Sequence, residues 1–113
     1  GFSFIYYADS IQKFNENYQN EKTRILNSSA LFPPVNLPNC IHCSALPWTH
    51  FTGHKEPVSG LPDSVPKLAF GKFKNQEGQL LMPVAINVNH ALVDGYHIGL
   101  FFKAYQNMLD NIK

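Results

Sequence analysis

A histidine and an aspartate four residues apart form the first candidate site in this sequence. His90 and Asp94 stand directly after the most hydrophobic segment of the chain, residues 80–88. A histidine titrates near neutral pH, so it can accept a proton from a hydroxyl and return it within one reaction. The alternative is a buried histidine bonded to one backbone carbonyl, with Asp94 serving as a helix cap. Short motifs also match by chance, so spacing alone leaves both interpretations open.

Ser44 is the second candidate. A hydroxyl at the end of a strand can donate a hydrogen bond to a developing oxyanion, the task that preorganised donors perform in acyl transfer. The alternative is an ordinary strand serine bonded to the backbone.

The third pattern, Cys40 and Cys43 followed by His50 and His54, imitates a zinc site. On a strand, residues three apart point to opposite faces, so the two thiolates would not converge on one ion. The six-residue gap between the pairs is also shorter than the usual zinc-finger spacer. No helix follows Cys40 to lower a thiol pKa, which argues against a redox pair. The sequence therefore predicts neither a metal site nor a dithiol site.

Hydrophobic periodicity predicts the elements that hold these residues. The expected order is a strand at 2–8, a helix at 10–27, a strand at 39–46, a long loop at 49–66, a hairpin of 67–73 with 79–89 around a turn at 75–78, and a helix beginning at Asp94 or Gly95. The two-residue strand period places His90 one step beyond the apolar face of the last strand.

This order predicts an α/β two-layer sandwich, a mixed β-sheet with packed helices. At 113 residues the chain is one domain at most. Its four predicted strands leave an open sheet edge, so we expect the chain to be part of a larger unit.

The composition narrows the function classes. Charged residues are 15% of the chain against about 25% in an average soluble domain, which indicates a surface covered in an oligomer or by a further segment. A net charge of +1 with scattered basic residues excludes a strongly basic nucleic-acid surface. No apolar run approaches a membrane span, and two cysteines make no disulfide framework, so a reducing cytoplasm is expected.

Two segments together resemble a known family. Residues 89–97 resemble the His-His-Ala-x-x-Asp-Gly-Phe-His signature of chloramphenicol acetyltransferases, and residues 44–48 resemble that family's Ser-Ala-x-Pro-Trp segment. Residues 80–86 are similar to the strand that leads into the signature. The resemblance spans nearly the whole chain but only the C-terminal half of a family member. It implies an incomplete coenzyme A-dependent acyltransferase-like fold, with residues 1–113 as the C-terminal portion of one acetyltransferase domain.

The resemblance also implies a reaction and its residues. The expected reaction is acetyl transfer from acetyl-CoA, as co-substrate and without a metal, to a hydroxyl of chloramphenicol or a similar small acceptor. Family members are cytoplasmic trimers with the site at a subunit interface, so a homotrimer is expected. The residues matched to the family's roles are His90 as general base, Ser44 as oxyanion donor, Asp94 and Gly95 as structural support, and Phe73 and Trp48 as cofactor-binding aromatics. Asp94 is expected to support the site through an arginine.

Several positions depart from the family pattern. Asn89 replaces the first histidine of the signature, and Ala69 stands where a threonine holds an oxyanion-binding water. Phe73 replaces a tyrosine near the coenzyme, and the loop at 50–66, expected to shape the acceptor pocket, matches poorly. The expected N-terminal half, with the arginine partner of Asp94, is not part of the chain. Two further hypotheses therefore stand beside the enzyme: a catalytically degraded binding or structural module, and an acyltransferase with a different acceptor.

Overall fold

A computed structural model describes residues 1–57, 60–61 and 63–112. Its contacts divide the chain into two compact units, Gly1–Pro38 and Asn39–Lys113. The elements in chain order are α1 (Ile11–Leu26), β1 (His42–Leu46), β2 (Lys67–Gly71), β3 (Lys74–Gln76), β4 (Gln79–Leu81), β5 (Val84–Asn87) and α2 (Gly95–Asp110).

The first unit is built on α1, close to the predicted helix at 10–27. Ser10 caps it, since the Ser10 side chain accepts a hydrogen bond from the Lys13 backbone N–H. Asn27 closes the other end.

The predicted strand at 2–8 is wrong. The segment is extended and has no strand partner among the described residues, and side chains of α1 tether it instead. The Phe4 N–H donates to Glu21 Oε1 at 3.2 Å, and Asn17 Nδ2 donates to the Tyr6 carbonyl at 3.0 Å. Aromatic residues favour strands because they pack against side chains of a neighbouring strand. This segment has no neighbouring strand among the described residues, so its aromatic content does not produce a strand.

The second unit contains a three-stranded mixed sheet in the order β1-β2-β5. β1 and β2 are parallel, with His42 opposite Lys67, whereas β2 and β5 are antiparallel, with Lys67 opposite Asn87. The predicted first strand of this unit is confirmed with a later start, at His42. Leu68 and Ala69 on the central strand are the buried hydrophobic side chains of the described residues.

The predicted hairpin is correct at its turn and wrong in its return strand. Glu77 and Gly78 both have positive φ, 53° and 84°, which is the geometry of a tight two-residue hairpin loop between β3 and β4. The return strand breaks at Pro83, whose ring has no N–H to donate to a ladder. β3 and β4 form a separate two-stranded sheet, and β5 resumes the pairing with β2.

The observed mixed sheet and two helices agree with the predicted partial α/β fold. Neither α1 nor α2, all of whose residues the structure describes, contains a buried residue. Large apolar side chains such as Trp48, Tyr7 and Leu26 are more than 70% exposed. None of the helices described is long and apolar enough to cross a membrane.

Candidate functional site

His90 lies in a turn between β5 and α2, not at the end of a strand. β5 ends at Asn87, so the predicted continuation of the apolar strand face to His90 is wrong. The backbone reverses because the Asn89 carbonyl accepts hydrogen bonds from the N–H groups of Leu92 and Val93, at 3.0 and 3.1 Å. The turn presents the His90 side chain to solvent, which argues against the buried-core interpretation.

The ring of His90 makes one hydrogen bond, which fixes its chemistry. Nδ1 lies 3.1 Å from the backbone carbonyl oxygen of Val93. A carbonyl oxygen only accepts, so Nδ1 carries the proton and donates it. In the neutral ring Nε2 is then left with a lone pair and no proton. That tautomer is the one a general base acting through Nε2 requires.

Asp94 is the N-cap of α2. Its Oδ1 accepts hydrogen bonds from the backbone N–H groups of Tyr96, at 3.0 Å, and His97, at 3.3 Å. The hydrogen bond from His97 is the main cause that holds the pKa of Asp94 below its ordinary value, and the carboxylate also stabilises the positive end of the helix. Gly95 follows as the first helical residue. The structure thus gives Asp94 a capping role within the chain.

The His97 ring completes the cap in two ways that exclude each other. The Asp94 backbone N–H points at His97 Nδ1 at 3.3 Å, which requires an unprotonated Nδ1. The same nitrogen lies 3.0 Å from Asp94 Oδ1, which requires a protonated one. A ring without a proton on Nδ1 therefore closes a capping box, whereas a ring with a proton on Nδ1 donates to the carboxylate instead.

The arginine expected beside Asp94 is not supplied by α2 or the turn. The sequence has a single arginine, Arg24, and that side chain forms a two-pronged ion pair with Glu21 at 2.7 and 2.9 Å.

The predicted position of Ser44 at the end of a strand is wrong, because Ser44 lies in the middle of β1, where it is exposed. In the parallel pair its register partner is Ala69 on β2, and Ala69 is in turn opposite Ala85 on β5. Register partners project from the same face of a sheet, so one row carries a hydroxyl followed by two methyl groups. Ala69 is 0% exposed.

The strand that holds Ser44 and the strand that leads into the His90 turn are on opposite sides of the central strand. β1 and β5 are the two edges of the sheet, which separates them by two strand spacings, or about 10 Å. Asn87, the last residue of β5, is opposite Lys67, which is opposite His42, the first residue of β1. The chain from Asn87 toward His90 therefore leaves the sheet at the end where β1 begins. No hydrogen bond joins Ser44 and His90, both of which are described. The chain positions each candidate side chain but does not bring them together.

The loop after β1 folds back on the end of β2. The Lys72 N–H donates to the Thr49 carbonyl at 2.7 Å, and His50 Nδ1 lies 2.9 Å from the Lys72 carbonyl. Phe51 and Pro83 approach Gly71 so closely that a Cβ there would lie 2.9 and 2.6 Å from them. Gly71 is two residues after Ala69 on β2 and shares its sheet face with Ser44, so this loop covers that face beside the Ser44 row.

The two aromatic residues assigned to coenzyme binding are both at the surface. Trp48 lies two residues after the end of β1 and is 82% exposed, and Phe73 lies two residues after the end of β2 and is 61% exposed. Both rings are accessible to a ligand.

The cysteine and histidine pattern does not assemble. Cys40 precedes β1 and Cys43 lies in it, so the strand-phase argument against their convergence does not apply as made. Both are free thiols, and His54 is paired with Glu56 at 2.7 Å. Within the described ranges, no group of three or more His, Cys, Asp or Glu side chains is arranged to hold a metal ion.

Sequence reasoning missed the part that Asn89 plays. Besides its carbonyl, its side-chain Oδ1 accepts from the Ala91 N–H at 2.9 Å, and its Nδ2 donates to the Asp63 carbonyl at 3.1 Å. The available signal was the residue type, because asparagine commonly bonds the backbone two residues on and so starts a turn.

Comparison with known proteins agrees with the resemblance seen in the motifs. A sequence model described as chloramphenicol acetyltransferase matches residues 1–106. Chloramphenicol acetyltransferase 2 of Haemophilus influenzae is 34% identical over 96% of the chain and 52% of its own length. A chloramphenicol acetyltransferase of Bacillus pumilus is 40% identical over 74% of the chain and 39% of its own length.

A solved chloramphenicol acetyltransferase superposes with a TM-score of 0.63 at 27% identity, over 86% of the chain and 49% of that structure. The chain spans about half the length of the curated relatives it matches. From the family match and the sequence identity, the chain belongs to the chloramphenicol acetyltransferase family.

Proposed function

We propose that the intact protein transfers an acetyl group from acetyl-CoA to a hydroxyl of chloramphenicol or a similar small acceptor. His90 is the general base and Ser44 the oxyanion donor. The observation that carries the proposal is the hydrogen bond from His90 Nδ1 to the Val93 carbonyl, which leaves Nε2 unprotonated on an exposed ring. Relatives named chloramphenicol acetyltransferases support the reaction class.

His90 Nε2 takes the proton of the acceptor hydroxyl as its oxygen attacks the thioester carbonyl. The new C–O bond gives a tetrahedral intermediate with a negatively charged oxygen. That intermediate collapses by breaking the C–S bond, and the coenzyme thiolate recovers the proton from His90. The products are the acetyl ester and free coenzyme A, and the base is restored.

Ser44 stabilises the tetrahedral intermediate by donating its hydroxyl proton in a hydrogen bond to the oxyanion. Its neighbour Ala69 has no oxygen with which to hold a second donor. Trp48 and Phe73 offer exposed ring faces for the coenzyme. Asp94 and Gly95 support the site by starting α2 directly after the His90 turn, and Asp94 is proposed to pair with an arginine from outside this chain.

A site that combines Ser44 and His90 is proposed to use two copies of the chain, because Ser44 lies on one edge strand, β1, and the His90 turn follows the other edge strand, β5. This arrangement supports a homotrimer with sites at the subunit interfaces, each combining Ser44 of one protomer with His90 of its neighbour. The many exposed apolar side chains support a covered surface in the assembly. The proposed location is the cytoplasm, where free thiols stay reduced.

The test is His90→Ala in the intact protein, assayed for acetyl transfer to chloramphenicol. We expect turnover to fall by at least about a hundredfold, the lower range for losing a general base. His42→Ala is the matched control, because His42 is an exposed histidine of the same unit with no part in the proposal. Retained turnover in His90→Ala would refute the assignment of His90 as the general base. Expression in a sensitive strain should also raise chloramphenicol resistance, and His90→Ala should abolish that gain.

One observation favours a catalytically degraded binding module as the second candidate. Ala69 is fully buried, so the oxyanion site lacks a second donor on the face of Ser44. Separate titrations with acetyl-CoA and with chloramphenicol distinguish the candidates. Binding of neither favours the degraded module, whereas binding of acetyl-CoA alone favours an acyltransferase with another acceptor.

A further inference from the structure

Asn89 organises the turn that carries His90. Its side-chain Oδ1 accepts from the Ala91 N–H at 2.9 Å, and its carbonyl accepts from the N–H groups of Leu92 and Val93. One residue therefore satisfies three successive backbone donors that no helix or strand pairs. The turn has no other side-chain acceptor among the described residues.

The turn sets the orientation of the His90 ring. By folding residues 89–93 back on themselves, it brings the Val93 carbonyl within 3.1 Å of His90 Nδ1. The two bonds to the Asn89 carbonyl survive any substitution at this position, so the side chain acts through its bonds to the Ala91 N–H and the Asp63 carbonyl. Without these two bonds the turn is held less firmly, and the Val93 carbonyl is free to move away from the ring. Both neutral tautomers of the ring then become accessible, and only one of them has its lone pair on Nε2.

A second bond ties the turn to the loop that precedes β2. Asn89 Nδ2 donates to the Asp63 carbonyl at 3.1 Å. The Asp63 carboxylate in turn accepts from the Val65 N–H at 2.9 Å and from Lys67 Nζ at 2.6 Å, which fixes that segment to the first residue of β2. The amide of Asn89 thus joins His90 to the loop expected to shape the acceptor pocket.

We propose that Asn89 is a positioning residue that holds His90 in the Nδ1–H tautomer and couples the base to residues 63–66 of the loop expected to shape the acceptor pocket. The proposal rests on the proposed function of His90, and it assigns a task to a position where this chain departs from the family signature. The amide group suits the task because it offers an acceptor and a donor on one short side chain.

Two substitutions of Asn89 distinguish the effects of its two side-chain hydrogen bonds, to the Ala91 N–H and to the Asp63 carbonyl. Asn89→Ala removes both, whereas Asn89→Ser keeps a hydroxyl that accepts from the Ala91 N–H but is too short to reach Asp63. We expect Asn89→Ala to lower kcat by about tenfold to a hundredfold with little change in the KM for acetyl-CoA. Asn89→Ser should retain kcat and raise the KM for the acceptor. Asn75→Ala is the matched control, because Asn75 Oδ1 accepts a turn N–H, that of Gly78, away from His90.

The tautomer of His90 is read directly by NMR of protein labelled with ring-15N histidine. Wild-type protein should give a single Nδ1–H tautomer, and Asn89→Ala a mixture, with no turnover needed for the measurement. If Asn89→Ala does not fold, the split between kcat and acceptor KM in Asn89→Ser carries the test. A single Nδ1–H tautomer and full kcat in Asn89→Ala would overturn the proposal, as would an unchanged acceptor KM in Asn89→Ser. Turnover retained in His90→Ala would instead refute the proposed function, and the NMR comparison would still decide the role of Asn89 in the turn.

Discussion

Ser44 on β1 and Ala69 on β2 are register partners, and their side chains leave the sheet on the same face. Ser44 is exposed, whereas Ala69 is 0% exposed. A threonine at Ala69 would place a hydroxyl beside that of Ser44, but in a space this structure leaves closed. The buried alanine at position 69 therefore accounts both for the missing second oxyanion donor and for the tight packing of β2.

We predict that Ala69→Thr destabilises the intact protein. Two added heavy atoms at a fully buried site overpack it, at a cost of about 1–3 kcal/mol in the free energy of unfolding. Denaturant unfolding measures the change. Ala45→Thr is the control, because it adds the same atoms on the exposed neighbouring strand and should stay within about 0.5 kcal/mol. Higher turnover in Ala69→Thr with unchanged stability would show instead that the site has room for an ordered water.

The sequence predicted the elements that depend on local pattern. Both helices follow from their 3.6-residue periodicity and from capping residues such as Ser10 and Asp94. The strand at 2–8 failed because a strand exists only with a partner, and aromatic content carries no information about one. The hairpin failed at Pro83, where the missing N–H outweighs the alternating pattern on either side.

The motifs nominated the candidate site residues, and the structure shows where they lie in the fold. His90 and Ser44 were identified from motifs, while the turn at Asn89 removed the strand phase on which the placement of His90 had rested. Ser44 is on one edge strand and the His90 turn follows the other because the strand order is β1-β2-β5, a long-range property that the spacing of residues along the chain does not encode.

Two glycine substitutions should change stability in opposite directions. Gly71→Ala puts a Cβ 2.6 Å from Pro83 and 2.9 Å from Phe51, so the loop over the end of β2 must shift. We expect a loss of about 1–3 kcal/mol in the free energy of unfolding. Gly99→Ala in α2 meets nothing within 4 Å and should add about 0.5–1 kcal/mol, because alanine favours a helix interior. Equal shifts in the two denaturation midpoints would contradict the packing described at Gly71.

Acid should release the N-terminal segment from α1. The hydrogen bond from Arg24 is the main cause that lowers the pKa of Glu21, and the Phe4 N–H adds a smaller contribution. A lowered folded-state pKa means that the carboxylate stabilises the fold above the unfolded-state value and that this stability is lost as the pH falls through the folded value. Because the ordinary glutamate pKa is about 4.3, the loss should occur below about pH 4.

Amide exchange of Phe4, corrected for the intrinsic pH dependence of exchange, measures this release. In Glu21→Gln the protection of the Phe4 amide should already be weaker at neutral pH, by up to about 1 kcal/mol. Glu16→Gln is the control, since the Lys13–Glu16 pair is more than 60% exposed on both sides and contacts no part of the segment. Protection of Phe4 that is independent of pH in the wild-type protein would be inconsistent with the tether.

Mixing two inactive variants should restore activity if Ser44 and His90 act across a subunit interface. In Ser44→Ala oligomers every site lacks the oxyanion donor, and in His90→Ala oligomers every site lacks the base. In hybrids assembled from equal amounts, about a quarter of the interfaces combine the intact Ser44 of one protomer with the intact His90 of its neighbour. We therefore expect co-refolded or co-expressed mixtures to recover about a quarter of wild-type turnover, measured against the same total protein.

Each variant refolded alone is the control, and mass spectrometry of the intact assemblies confirms that hybrids have formed. If hybrids form and turnover stays at the level of the single variants, Ser44 and His90 do not share a site between protomers. The position of their strands on opposite sides of β2 would then need a different explanation.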